Sequence, residues 1–216
     1  MAFNIHQLDG LEWDDYEEAF EEYQDSLLEH FLESPEGQSH LQEFPEAGFW
    51  VSQLVYYGYS YLGVTLPQMT KKHVEEIVTE LFPRKVSLLS PEDGDDAIPE
   101  LTVFWQYLAR EYSLRHAAAI LRFLHRIAPD FKSVMNDPSK FGMAKSFVMM
   151  GQQAGFDMTQ KEDMDAFMHF YNASILAQDS EPQPGFPLTG ATRKARAKRK
   201  RKHKEARAAR EKNRKR

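Results

Sequence analysis

The chain of 216 residues contains no cysteine, which excludes a disulfide framework, a thiolate zinc site, an iron–sulfur cluster and a cysteine nucleophile. Its first basic residue is Lys71, so the positive leading region of a secretory signal is missing and export is not expected. Long hydrophobic runs are missing too. Phe49 to Leu62 and Phe141 to Met150 fall short of the roughly 18 apolar residues that suggest a membrane span. Strand-like alternation is nearly absent, Lys85 to Leu89 being the one short candidate. Together these absences predict a soluble, cytoplasmic, all-α protein. What is present suffices for a core, since 42% of the residues are hydrophobic and 12% aromatic.

Helical periodicity runs along most of the chain. Tyr16, Phe20, Tyr23, Leu27 and Phe31 recur at steps of three and four, which places them on one face of a helix over about Glu12 to Leu32. Ser34 followed by Pro35 is a cap and first-turn pair for a short helix to about Glu43. The span Glu46 to Tyr61 carries Trp50, Val51, Leu54, Val55 and Tyr57, too many apolar positions for a helix with a wet side, and predicts a core helix. Thr70 caps a helix with Val74, Ile77, Val78, Leu81 and Phe82, which Pro83 is expected to end. Beyond an acidic loop, Pro99 opens a helix with Leu101, Phe104, Trp105 and Leu108. Ser113 caps the next, which Pro129 should interrupt. Asp137 and Pro138 start another through about Ala154, with Gly155 at a left-handed end, and a last helix is expected to bury Met164, Phe167, Met168, Tyr171 and Ile175. The expectation is a compact all-α domain of about seven helices over residues 1–177, then a Pro/Gly linker over 178–190.

Charge is distributed very unevenly. Residues 191–216 hold fifteen Lys or Arg and two Glu, a net of +13, which leaves twelve basic and thirty-one acidic residues in 1–190, a net of −19. The tail has no apolar residue larger than alanine and cannot repay its ordering entropy by burial, so alone it should be disordered. A polyanion changes the balance, because each Lys or Arg that neutralises a phosphate releases counterions. Lys198, Arg199, Lys200, Arg201 and Lys202 form the dense centre, flanked by Arg193, Lys194, Arg196, Lys204, Arg207 and Arg210. Arg201 with Glu205 and Arg207 with Glu211 are opposite charges four apart in a helix-forming composition, so a helix that forms on RNA is expected. The plainer alternative is a solvated extension with no particular partner.

The amino-terminal 46 residues are the counterpart, with fourteen Asp or Glu and no Lys or Arg. Glu17, Glu18, Glu21, Glu22, Asp25 and Glu29 crowd one helix. That face should repel phosphate, receive a basic protein, or take the chain's own tail as a counter-charge; the plainer reading is a solvated helix face. Catalytic and metal patterns are weaker. Asp165 with His169, and His73 with Glu76, share helix faces, but two ligands do not make a site, and neither a metal nor another cofactor is expected. Ser139, Lys140 and Lys145 near a helix start could hold an anion, although the second glycine and the strand of a phosphate loop are missing.

The segments Leu81-Phe82-Pro83-Arg84-Lys85-Val86-Ser87 and Asp137-Pro138-Ser139-Lys140-Phe141-Gly142-Met143-Ala144-Lys145-Ser146, with the Pro99 to Tyr107 helix and Asp165 to Asn172, resemble an uncharacterised helical module of bacterial proteins. The resemblance spans about residues 66–176 and implies a compact helical body in a bacterial cytoplasm. No established activity attaches to that module, so no functional residue carries over. The function expected from the residues is non-enzymatic binding of RNA or a ribonucleoprotein through the basic tail. The alternatives are an adaptor that meets a basic protein at the acidic helix, and an enzyme acting on a phosphorylated substrate through Lys140, Lys145 and Arg84 or Lys85.

Overall fold

The computed structural model describes residues 3–10, 16–88 and 91–178. The basic tail and all but the first residue of the expected linker lie outside the described residues. Every regular element among the described residues is helical, and no strand is present there. The protein is all-α.

Helix α1 (Tyr16–Glu33) follows the predicted apolar steps, and its expected start from Glu12 lies outside the described residues. Phe20, Tyr23, Leu27 and Phe31 are buried on one face, while Glu21, Glu22, Asp25 and Glu29 are exposed on the other. Ser34 ends the connection and starts α2 (Pro35–Leu41), its hydroxyl oxygen accepting from the Gly37 N–H at 3.1 Å. Helix α3 (Phe49–Tyr57) begins at Gly48 and loosens into a π turn over Gly58–Leu62, ended by left-handed Gly63. Its Trp50, Val51, Leu54, Val55 and Tyr57 are buried, although Phe49 and Tyr56 reach the surface.

Helix α4 (Lys71–Glu76) passes through a π turn, Ile77–Leu81, directly into α5 (Phe82–Lys85). Contrary to the expectation from sequence, Pro83 does not end this helix. Widening the ladder just before proline relieves the clash of its ring with the carbonyl four residues back. That carbonyl, on Thr79, accepts from Lys140 Nζ at 2.8 Å.

Helix α6 (Ala97–Tyr112) and α7 (Ala117–Met135) pack on each other, and α6 also packs on α2 and α3. Ser113 does not cap α7. It takes a left-handed conformation, φ 50°, that terminates α6, and His116 stands at the start of α7. Nor does Pro129 interrupt α7, which continues to Met135. Pro129 and His125, whose carbonyl loses its helical partner, are both exposed, so water can take the missing donor's place. The helix expected over Asp137 to Ala154 divides into a 3₁₀ turn, Pro138–Lys140, and α8 (Met143–Gln153). The break falls at Phe141 and Gly142, which are extended. A Cβ at Gly142 would lie 2.6 Å from the Arg84 carbonyl oxygen, to which the Gly142 N–H donates at 3.0 Å, so α8 can meet the end of α5 only through a glycine.

The chain divides into two compact units, Met1–Met158 and Thr159–Arg216. In the first, the core is centred on Trp50, Trp105, Phe31, Phe82, Phe104 and Leu101, all fully buried. The amino-terminal turn is tied to it by Tyr23, whose hydroxyl donates to the Ile5 carbonyl at 3.2 Å, and by Thr65, which donates to Asp9 at 2.5 Å. In the second unit α9 (Lys161–Gln178) is described. It buries Phe167, but Met164 and Met168, expected to be buried, are exposed, as is Phe170.

Candidate nucleic-acid interface

The residues expected to contact nucleic acid, from Arg193 to Arg210, lie outside the described residues. The body's contribution is therefore built from charge exposed on its helices and from polar groups buried between them.

On α1 the exposed Glu21, Glu22, Asp25 and Glu29 form no ion pair with a described residue. The helix therefore presents a negative face that no described residue neutralises through an ion pair. Other carboxylates of this acidic end are used internally. Glu36 receives a two-pronged contact from Arg110, Nε to Oε1 at 2.6 Å and Nη2 to Oε2 at 3.0 Å, which pins α2 to α6. The guanidinium holds the Glu36 carboxyl below the ordinary carboxylate range.

The three candidate anion-binding residues are each engaged within the protein. Ser139 donates its N–H and its hydroxyl to Asp137 Oδ1 at 2.9 and 2.7 Å. Lys140 donates to the Thr79 carbonyl and to Glu80 Oε1 at 3.2 Å. Lys145 is 3% exposed, donates to the Met135 carbonyl at 2.9 Å, and lies 4.3 Å from the centre of the Phe141 ring. Burial pulls its amine down to about 8. Each lysine thus holds the carbonyl of a neighbouring element, and Lys145 does so in the last turn of α7, where the helix dipole favours a cation.

Sequence patterns did not single out Glu100, the most deeply buried carboxylate in the described core, at 0% exposure. Its two oxygens accept from the Gly48 and Val51 backbone N–H groups at 3.0 and 2.8 Å. It thus satisfies donors at the start of α3 that have no helical partner. Beside it, Asp96 accepts from Trp50 Nε1 at 2.7 Å. Burial raises the Glu100 carboxyl above its usual range; the backbone donors and the nearby Asp96 charge act on it more weakly. The only local clue was its place three residues after Ala97 and four before Phe104, on the buried side of α6. His40 Nε2 and Trp105 Nε1 are buried without a hydrogen-bond partner among the described residues.

His73, a candidate ligand by its spacing to Glu76, accepts from the Thr70 N–H through Nδ1 at 3.2 Å and so completes the α4 cap. Asp165 and His169 are both exposed on α9. Among the described residues no group of three or more His, Cys, Asp or Glu side chains could hold a metal ion. No described helix is long and apolar enough to cross a membrane. The buried polar groups with resolved partners act between helices: they cap, tie and orient. Comparison of the chain with protein-family models, with curated proteins and with solved structures finds no match.

Proposed function

We propose that the protein is a non-enzymatic, cytoplasmic RNA-binding or ribonucleoprotein-associated protein whose basic carboxy-terminal segment is its principal contact with phosphate. The observation that carries this reading is the charge split, +13 in residues 191–216 against −19 in residues 1–190. Such a density of Lys and Arg beside an acidic body is the electrostatic footprint of a polyanion binder. The exposed carboxylates of α1 support it, because that side of the body repels phosphate and leaves the contact to cationic segments. Lys198 to Lys202 carry most of the affinity, with Arg193, Lys194, Arg196, Lys204, Arg207 and Arg210 adding to it. Binding is tolerant of sequence, since the tail offers no aromatic side chain for base stacking. Removal of residues 191–216 is expected to abolish binding of a labelled RNA, with and without competitor DNA. A truncated chain that binds as tightly as the whole would refute the reading.

The same α1 face favours a second reading, an adaptor that receives a basic protein there, with the tail serving as an internal counter-charge. The two separate on salt titration of the free protein. Expansion of the hydrodynamic radius as salt rises supports internal pairing, and an unchanged radius counts against it.

A further inference from the structure

Helix α7 carries a basic ridge in an otherwise acidic body. Arg122 and Arg126, one helical turn apart, are exposed, and Arg115 is exposed just before the helix begins. None of the three forms an ion pair with a described residue. From Ser113 to Pro129 the sequence contains no Asp or Glu; the single carboxylate of α7 is Asp130. Arg126 is also held in place. Its guanidinium lies 6.0 Å from the centre of the buried Phe123 ring, and Lys71 Nζ of α4 lies 5.5 Å from the same ring. Lys71 brings its own partner, Glu75 at 2.6 Å, whereas Arg126 forms no ion pair with a described residue.

We propose that this ridge, Arg115, Arg122 and Arg126, is a second phosphate-binding surface that seats the body on the RNA the tail has captured. The inference rests on the RNA-binding reading above. The occupant is an RNA backbone by charge complementarity: side chains four residues apart on a helix are about 5–6 Å apart at Cβ, and guanidinium forks suit phosphate oxygens. A polymer brought near a body of net charge −19 settles where carboxylates are sparse, and the stretch from Arg115 to Arg126 has none of its own, the exposed Asp130 standing one turn beyond it. Ridge and tail belong to one chain, so once the tail has bound a strand the second contact forms intramolecularly, at the effective concentration of a tethered site.

The test uses the full chain, a labelled mixed-sequence RNA oligomer and a salt titration followed by fluorescence anisotropy, with circular dichroism confirming the fold of each variant. R122Q/R126Q should bind more weakly and lower the slope of log affinity against log salt by about 1.4, close to 0.7 for each single-strand phosphate that is no longer neutralised. R122Q alone, which leaves Arg126 on the Phe123 ring, should lower it by about half as much. A chain with Lys198 to Lys202 all changed to glutamine should show a far larger drop. If the wild-type chain binds RNA and R122Q/R126Q keeps both its affinity and its slope, the ridge is overturned and the tail reading stands. Weakened binding with an unchanged slope also overturns it, because the two arginines then neutralise no phosphate. If the wild-type chain fails to bind RNA, the functional reading itself falls.

Discussion

Replacing Glu100 by alanine removes the acceptor from two backbone N–H groups, those of Gly48 and Val51, at a position with 0% exposure. Each buried donor left without a partner costs about 1–3 kcal/mol, so E100A should lose roughly 4 kcal/mol in urea unfolding. At about 2–4 °C per kcal/mol for a chain of this size, the melting temperature should fall by roughly 8–16 °C. The pH dependence gives an independent check. Burial raises the Glu100 carboxyl above its value in the unfolded chain, so over the interval between the two values the folded state binds the extra proton. Stability contributed by this group is therefore complete below the unfolded value and is lost as pH rises through the folded one. The gap between wild type and E100A should widen as pH falls from neutrality towards about 4.5. An alanine variant within about 1 kcal/mol of wild type, or a gap that narrows on acidification, would refute the assignment of Glu100 as the buried cap of α3.

Lys145 should behave in the opposite sense: its folded value, about 8, is depressed below the ordinary 10.5, so the unfolded chain holds more protons between the two and wild-type stability should rise with pH across that window. The rise should be at most about 3 kcal/mol, and K145M should lack it in thermal melts taken from pH 7 to 11. G142A places a methyl group 2.6 Å from the Arg84 carbonyl oxygen without changing an already ordinary φ of −76°; a loss of about 1–3 kcal/mol in urea unfolding is expected, and an unchanged midpoint would count against the close approach of α8 to α5. K140M withdraws a donor from the Thr79 carbonyl, which Pro83 cannot supply, and should cost about 1 kcal/mol. A stability unchanged in K140M would show that water replaces the lysine there.

Much of the fold is legible wherever a rule acts within one turn of helix. The buried stripe of α1, the Ser34 cap with Pro35 after it, and the left-handed Gly155 depend on neighbours three or four residues away, and they stand in the structure as the residue pattern predicts. Other local expectations fail. Pro83 and Pro129 mark breaks by residue type, but the first is preceded by a π turn and the second lies on the exposed side of α7. The side chain of Ser113 suits a helix start, whereas its left-handed backbone closes α6. In each case the residue type is informative and its position relative to core and solvent is not visible in the sequence.

The sequence by itself determined the helical class, the apolar faces and the separation of acidic body from basic tail, because helix period and charge count need no knowledge of distant partners. Only the tertiary structure decided which polar residues would be buried and what they would hold. Glu100 meets donors 52 and 49 residues away, Lys140 reaches a carbonyl 61 residues back, and Arg110 clasps a carboxylate 74 residues distant. No local period encodes those pairings. They exist because packing brings unsatisfied helix ends, a proline-spared carbonyl and exposed charge within reach of side chains that would otherwise have stayed in water.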